Sequence, residues 1–203
     1  MLGATSIHST SLLQILERMD SVLDKSGTIC LIGASAIILL GAPTRQTNDI
    51  DLWMPETDLP DSILAKAARS IGLDWNNRTD IIERPHVQPI RPGIVQLPTT
   101  NSGLWPTGQK SHEIWRGERL IVVAPPPAIL GAAKMVVARD HDLEDIAFLV
   151  SRRLTNLAAI RQAATHFPAP ASKDALENMS LLEAFLVAGT PRPTDNLGTE
   201  DTR

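Results

Sequence analysis

Tyrosine is absent from this 203-residue chain, and three Phe and four Trp are its only aromatic residues. A base-stacking RNA platform leans on aromatic rings, so this supply argues against that class of binder. The tryptophans, Trp53, Trp75, Trp105 and Trp115, are expected to be packing residues. A single cysteine, Cys30, excludes an intrachain disulfide and a cysteine metal site, and its run Thr28-Ile29-Cys30-Leu31-Ile32 marks it as a core side chain. No apolar run is long enough to cross a bilayer, and the N-terminus MLGATSIHSTSLLQILERMD has neither a basic n-region nor an apolar h-region. A cytoplasmic protein with no membrane partner is expected.

A basic excess is missing too. The net charge of −4 excludes a grossly basic nucleic-acid binder. The distribution is uneven, however: residues 62 to 140 hold ten Lys/Arg against six acids, so this segment carries +4 and the remainder −8. Charge scattered over solvated faces is the plain reading, and a side turned toward a polyanion is the sharper one.

What is present is an ordinary globular composition, 43% hydrophobic and 21% charged, over a length that suits one compact unit. Helical spacing over 10–25, with Ser9 or Thr10 as N-cap, is followed by the buried strand TICLIG and by ASAIILLGA, a short helix closed by Gly41. Asp49, Ile50, Asp51 and Leu52 alternate with a strand period. Residues 60–72 form a helix ending at Gly72. The stretch 73–118 is short strands and long loops around pieces such as Ile94-Val95 and Glu113-Ile114-Trp115, and 119–125 is a strand. Helices are expected over 128–140, 142–153, 154–167 and 173–189. The division is an α/β core over 1–125, a helical part packed on it over 126–189, and a polar disordered tail over 190–203.

Within the stretch TRQTNDIDLWMP, two carboxylates interrupt an apolar strand. On a strand, Asp49 and Asp51 share a face roughly 6 to 7 Å apart and repel each other unless a divalent cation lies between them. Oxygen-only ligation with open positions suits Mg²⁺ (or Mn²⁺) holding a nucleoside triphosphate. Upstream, Gly33 in LIGASA stands at a strand-to-helix turn whose free N–H groups favour phosphate oxygens, with Ser35 as a further donor. Small residues at such turns also serve close packing. A dinucleotide fingerprint is set aside, because position 35 is not glycine and the acids follow on the next strand.

Gly33-Ala34-Ser35-Ala36 followed by Arg45-x-Thr47-x-Asp49-Ile50-Asp51-Leu52 resembles the signature of nucleotidyltransferase-fold proteins, including uncharacterised bacterial members and abortive-infection-type toxins of toxin–antitoxin pairs. A later block extends the resemblance: Lys134, then Arg139, Asp142, Asp145 and Ile146. The resemblance implies a small mixed sheet flanked by helices (an α/β, or α+β, class) and transfer of a nucleoside monophosphate from an NTP to an acceptor, with pyrophosphate leaving. In the toxin branch the acceptor is RNA, notably tRNA ends, and an antitoxin is the protein partner.

Under that reading Asp49 and Asp51 hold the metal, and Gly33, Ala34 and Ser35 meet the phosphates. Arg45 neutralises charge developing on pyrophosphate, Lys134 adds a cation, and Thr47 shapes the turn or supports the carboxylates. Asp142 and Asp145 belong either to the site or to a capping box that opens a helix. Two departures stand out. The strand expected to carry a third carboxylate, Gly93 to Leu97, has Gln96, with Asp80 or Glu83 as substitutes, and Ala34 stands where the family has glycine or serine. A catalytically degenerate nucleotide- or partner-binding module, or transfer to a small molecule or a protein, are the competing functions.

Overall fold

The computed structural model describes residues 6–42, 44–77, 84–93 and 95–189. The expected disordered tail, Asp80, Glu83 and Ile94 lie outside the described residues. In chain order the elements are α1 (Ser9–Val22), β1 (Gly27–Cys30), α2 (Gly33–Leu39), β2 (Asp49–Trp53), a 3-10 turn (Met54–Glu56), α3 (Asp61–Ser70), β3 (Asp74–Trp75), β4 (His86–Ile90), β5 (His112–Arg116) and β6 (Leu120–Ala124). The helices α4 (Pro127–Met135), α5 (Asp140–Ser151), α6 (Leu157–Ala164), α7 (Ala171–Glu177) and α8 (Met179–Gly189) follow. The class is mixed α/β, as expected. Among the described residues no helix is long and apolar enough to cross a membrane.

Two three-stranded sheets run in the orders β1-β6-β5 and β2-β4-β3. All pairings are parallel except β5 with β6. An antiparallel bridge between Leu31 and Leu52 joins the sheets, and the Ile32 N–H donates to the Asp51 carbonyl at 3.0 Å. This bond brings the end of β1 against the middle of β2.

Alternation along the strands sorts the side chains into two cores. Ile29, Leu31, Ile50, Leu52, Val87, Leu120 and Val122 pack with α1, α2 and α3, while Cys30, Ile32, Trp53 and Ile90 pack with the helices from α4 onward. Trp53 and Trp105 are buried, and burial, then Glu56, push the Cys30 thiol up. Asp49 and Asp51 alternate with Ile50 and Leu52, so the strand turns their carboxylates toward the C-terminal helices.

Asp20 ties α1 to the β5–β6 hairpin. Its carboxylate accepts from the backbone N–H groups of Glu118 (3.1 Å), Arg119 (2.8 Å) and Leu120 (2.6 Å). Burial works to raise this carboxyl, but the three donors and the Arg119 charge more than offset it and hold it below its usual value.

Several boundaries differ from expectation for identifiable reasons. Helix α1 is capped at His8 rather than at Ser9 or Thr10, because the Ser11 hydroxyl both accepts from the His8 N–H and donates to its carbonyl. Helix α4 stops at Met135, where the chain turns through Ala138 at φ 54° before α5. The helix expected over 173–189 is two, because Asn178 donates its side-chain amide to the Met135 carbonyl (2.9 Å), satisfying the end of α4. Strand β4 was hidden by Pro89, which lies past the end of two-residue β3, where that flank has no strand to bond. Val95 makes one bridge, to Pro92, and no strand runs over the described residues of 93–97.

Candidate active site

The turn after β1 sets the site. Gly33 has φ +65°, in the left-handed region, and a Cβ there would lie 2.6 Å from Oδ2 of Asp51. The backbone therefore approaches the acid as closely as only glycine allows. Ala34 is half-buried in the next position, whereas Ser35 is fully buried and donates its hydroxyl to the Ile32 carbonyl at 3.1 Å. Its hydroxyl is thus used in starting α2, and what the turn offers a phosphate is backbone. Helix α2 spans only about two turns.

Asp49 and Asp51 stand side by side on β2, both half-buried. The Thr47 hydroxyl donates to Oδ1 of Asp49, and Thr47 is itself fixed by two backbone bonds with Ile7 (2.6 and 2.9 Å). Burial first, and then the neighbouring Asp49 charge, push the Asp51 carboxyl up to about 7, with Lys134 pulling the other way. Such a pair carries negative charge that the protein leaves largely uncompensated.

Across from Asp51 the C-terminal helices present a buried ion cluster. Lys134 Nζ lies 3.0 Å from Asp142 Oδ1 and 2.6 Å from Asp145 Oδ2. Arg45 Nε lies 3.0 Å from Asp145 Oδ1, and Asp142 Oδ2 accepts the Arg139 N–H at 3.2 Å. Asp142 is thus the third residue of α5 and helps cap it, whereas Asp145 lies within the helix, which corrects a capping box opened by Asp142. Arg45 is committed to Asp145 and to the Gln46 carbonyl (3.3 Å). All four expected residues, Arg45, Lys134, Asp142 and Asp145, meet here. The cluster is neutral as a whole, and its partners satisfy charges that alone would be costly to bury.

A cleft of about 270 Å³ lies between these halves, with Gly33 and Asp51 on one side and Lys134, Arg139 and Asp142 on the other; Val95, Leu97 and Leu130 supply apolar wall. Among the described residues no group of three or more His, Cys, Asp and Glu is placed to hold a metal. Two carboxylates with room for ligand oxygens are nevertheless the donor set that Mg²⁺ takes when a triphosphate completes its shell. By the chemistry of their oxygen donors, Asp49 and Asp51 are the residues that would hold Mg²⁺ or Mn²⁺.

The segment Gly93 to Leu97, expected to be the strand for a third carboxylate, forms no strand over its described residues. Strand β4 lies beside β2, with His86 in register with Asp49 and Gln88 with Asp51. Gln88 is half-buried on the same face of the sheet as the acids, and Gln96 lines a neighbouring hollow. His86 is buried, with Nδ1 3.0 Å from the Arg84 carbonyl. Only the alternation of His86 and Gln88 could have signalled this strand, and Pro89 obscured it.

No family model, curated protein or solved structure matches the chain.

Proposed function

We propose that the protein is a metal-dependent nucleotidyltransferase that moves a nucleoside monophosphate from an NTP to an acceptor hydroxyl. The observation that carries this reading is the contact between Gly33 and Asp51: a left-handed glycine with no room for a side chain, pressed on the second acid of a D-x-D strand. Close packing alone explains a small residue there. It does not explain an acid pair kept beside it with a carboxyl pushed up to about 7.

The chemistry is displacement at the α-phosphorus: the acceptor oxygen bonds to it, the α–β bridging P–O bond breaks, and pyrophosphate departs. Asp49 and Asp51 would hold Mg²⁺ or Mn²⁺, which would supply positive charge to the phosphate oxygens and lower the pKa of the acceptor hydroxyl. The Gly33 turn lets backbone N–H groups approach the phosphates without a side chain between them. Lys134, held by Asp142 and Asp145, fixes a cation at the cleft, and Asp145 is in turn held by Arg45. Thr47 orients Asp49. The acceptor we assign is RNA, in the manner of a toxin held in check by an antitoxin, on the motif resemblance and the +4 charge of residues 62–140.

The test is transfer of label from each α-labelled NTP, with Mg²⁺ or Mn²⁺, into total RNA and total protein, with Asp51→Asn alongside. Label in RNA that disappears in the folded variant is expected; turnover retained by Asp51→Asn sinks the proposal. One observation favours a second reading, a nucleotide-binding module that no longer transfers: the strand beside the acids puts Gln88, not a third carboxylate, in register with Asp51. Metal-dependent triphosphate binding with no labelled product in any pool selects it.

A further inference from the structure

The cleft does not end at Lys134. A second hollow of about 340 Å³ opens beside it, and Val95, Ala133 and Val137 belong to the walls of both. Its remaining wall is apolar, with the Phe167 ring included, apart from two side chains, Gln96 and Asp174. Among the described residues no lysine, arginine or histidine lines it. A hollow of this size admits a heterocyclic base, and it begins where the phosphate end of the cleft stops.

The protein itself uses neither polar group. Asp174, half-buried on α7, has no side-chain hydrogen bond or ion pair among the described residues. The Gln96 amide oxygen is buried without a partner, so no bond locks that amide, and rotation about its last torsion brings either end to a ligand.

We propose that this hollow is the base subsite of the donor nucleotide and that Asp174 makes it select guanine. The proposal rests on reading Gly33, Asp51 and Lys134 as the triphosphate end. A carboxylate only accepts hydrogen bonds. Guanine alone among the four common bases sets two N–H donors side by side, N1–H and N2–H, spaced for the two carboxylate oxygens. Adenine and cytosine place an acceptor beside their amino group, and the uracil N3–H is flanked by two carbonyls that a carboxylate repels. Gln96, with a donor and an acceptor, meets the guanine O6 or its amino group. Apolar walls exclude water and so strengthen each of these bonds.

The test is calorimetric binding at fixed Mg²⁺ of inorganic tripolyphosphate, which reads the cleft alone, and of the α,β-methylene analogues of GTP, ATP, CTP and UTP, which read cleft and hollow together. Tripolyphosphate is expected to bind and to lose affinity in Lys134→Ala. The GTP analogue is expected to bind about ten- to a hundredfold more tightly than the other three. In Asp174→Asn that preference is expected to vanish and the xanthosine analogue, whose edge offers one donor and one acceptor, to gain affinity. A damaged fold does not produce such a gain. Equal affinity for the four analogues, or a guanine preference that Asp174→Asn leaves intact, overturns the base subsite while the cleft stands on its tripolyphosphate binding. Failure of tripolyphosphate and all analogues to bind overturns the cleft reading and this proposal with it.

Discussion

Replacing Asp51 with Asn removes the charge that burial and Asp49 disfavour, so the variant is expected to be more stable than the parent at alkaline pH. The folded carboxyl lies at about 7 against 3.8 for the free group, which corresponds to about 4 kcal/mol acting against the charged form. The sign follows from proton binding: a raised folded value means that the native state holds the proton more tightly than the unfolded one. Stability contributed by the protonated group is full below about 3.8 and is lost as pH rises through about 7. Asp51→Asn should therefore gain up to about 4 kcal/mol at pH 8, or roughly 10 °C in Tm, and only about 1 kcal/mol at pH 4.5. Urea denaturation across this range, without divalent metal, measures the difference. Adding Mg²⁺ at pH 8 should narrow it, because the parent alone keeps both carboxylates for the ion. A gain that does not grow with pH, or a loss at pH 8, refutes the account of Asp51 as an uncompensated buried acid.

Four further substitutions test other parts of the structure. Gly33→Ala forces a side chain into the left-handed region and against Asp51 Oδ2, and is expected to cost about 2 kcal/mol or more by denaturation and to abolish triphosphate binding. Lys134→Met strands Asp142 and Asp145 with one cation fewer and is expected to cost about 3 to 5 kcal/mol, whereas Arg161→Met, which loses an exposed pair with Glu183, changes denaturation by under about 1 kcal/mol. Asp20→Ala leaves the N–H groups of Glu118, Arg119 and Leu120 without their acceptor. Because the folded Asp20 carboxyl is lowered, its contribution is present above 3.8 and lost as pH falls through the folded value. The variant's deficit, about 2 kcal/mol at pH 7, should therefore shrink in acid.

How much could be read from residues alone depends on whether the deciding contact is local. The acids on β2 were legible because Ile50 and Leu52 alternate with them, and Gly33 because a strand-to-helix turn announces itself. The amphipathic helices followed from spacing. Ser35 shows the limit: a serine in a phosphate-like turn has the same letter whether its hydroxyl faces a ligand or, as here, closes the helix start on Ile32. Strand β4 was invisible because Pro89 is tolerated only by virtue of β3 ending early, which is a fact about a neighbour. The split between α7 and α8 likewise depends on a partner, the Met135 carbonyl that Asn178 reaches across the fold. The meeting of Arg45 with Lys134, Asp142 and Asp145 came from motif resemblance, since no periodicity links residues so far apart.

That distance has a kinetic consequence. The bond from Arg45 to Asp145 closes a span of 100 residues. Contacts of such separation carry a loop-closure cost that the local pairs of Lys134 with Asp142 and Asp145 do not, so the Arg45 bond is expected to form late in folding, after those pairs. Interactions missing from the transition state govern the rate of unfolding and leave the rate of folding nearly unchanged. The Arg45–Asp145 bond is therefore expected to bear on how long the cleft stays assembled once made, the native half-life, rather than on the speed of reaching the native state.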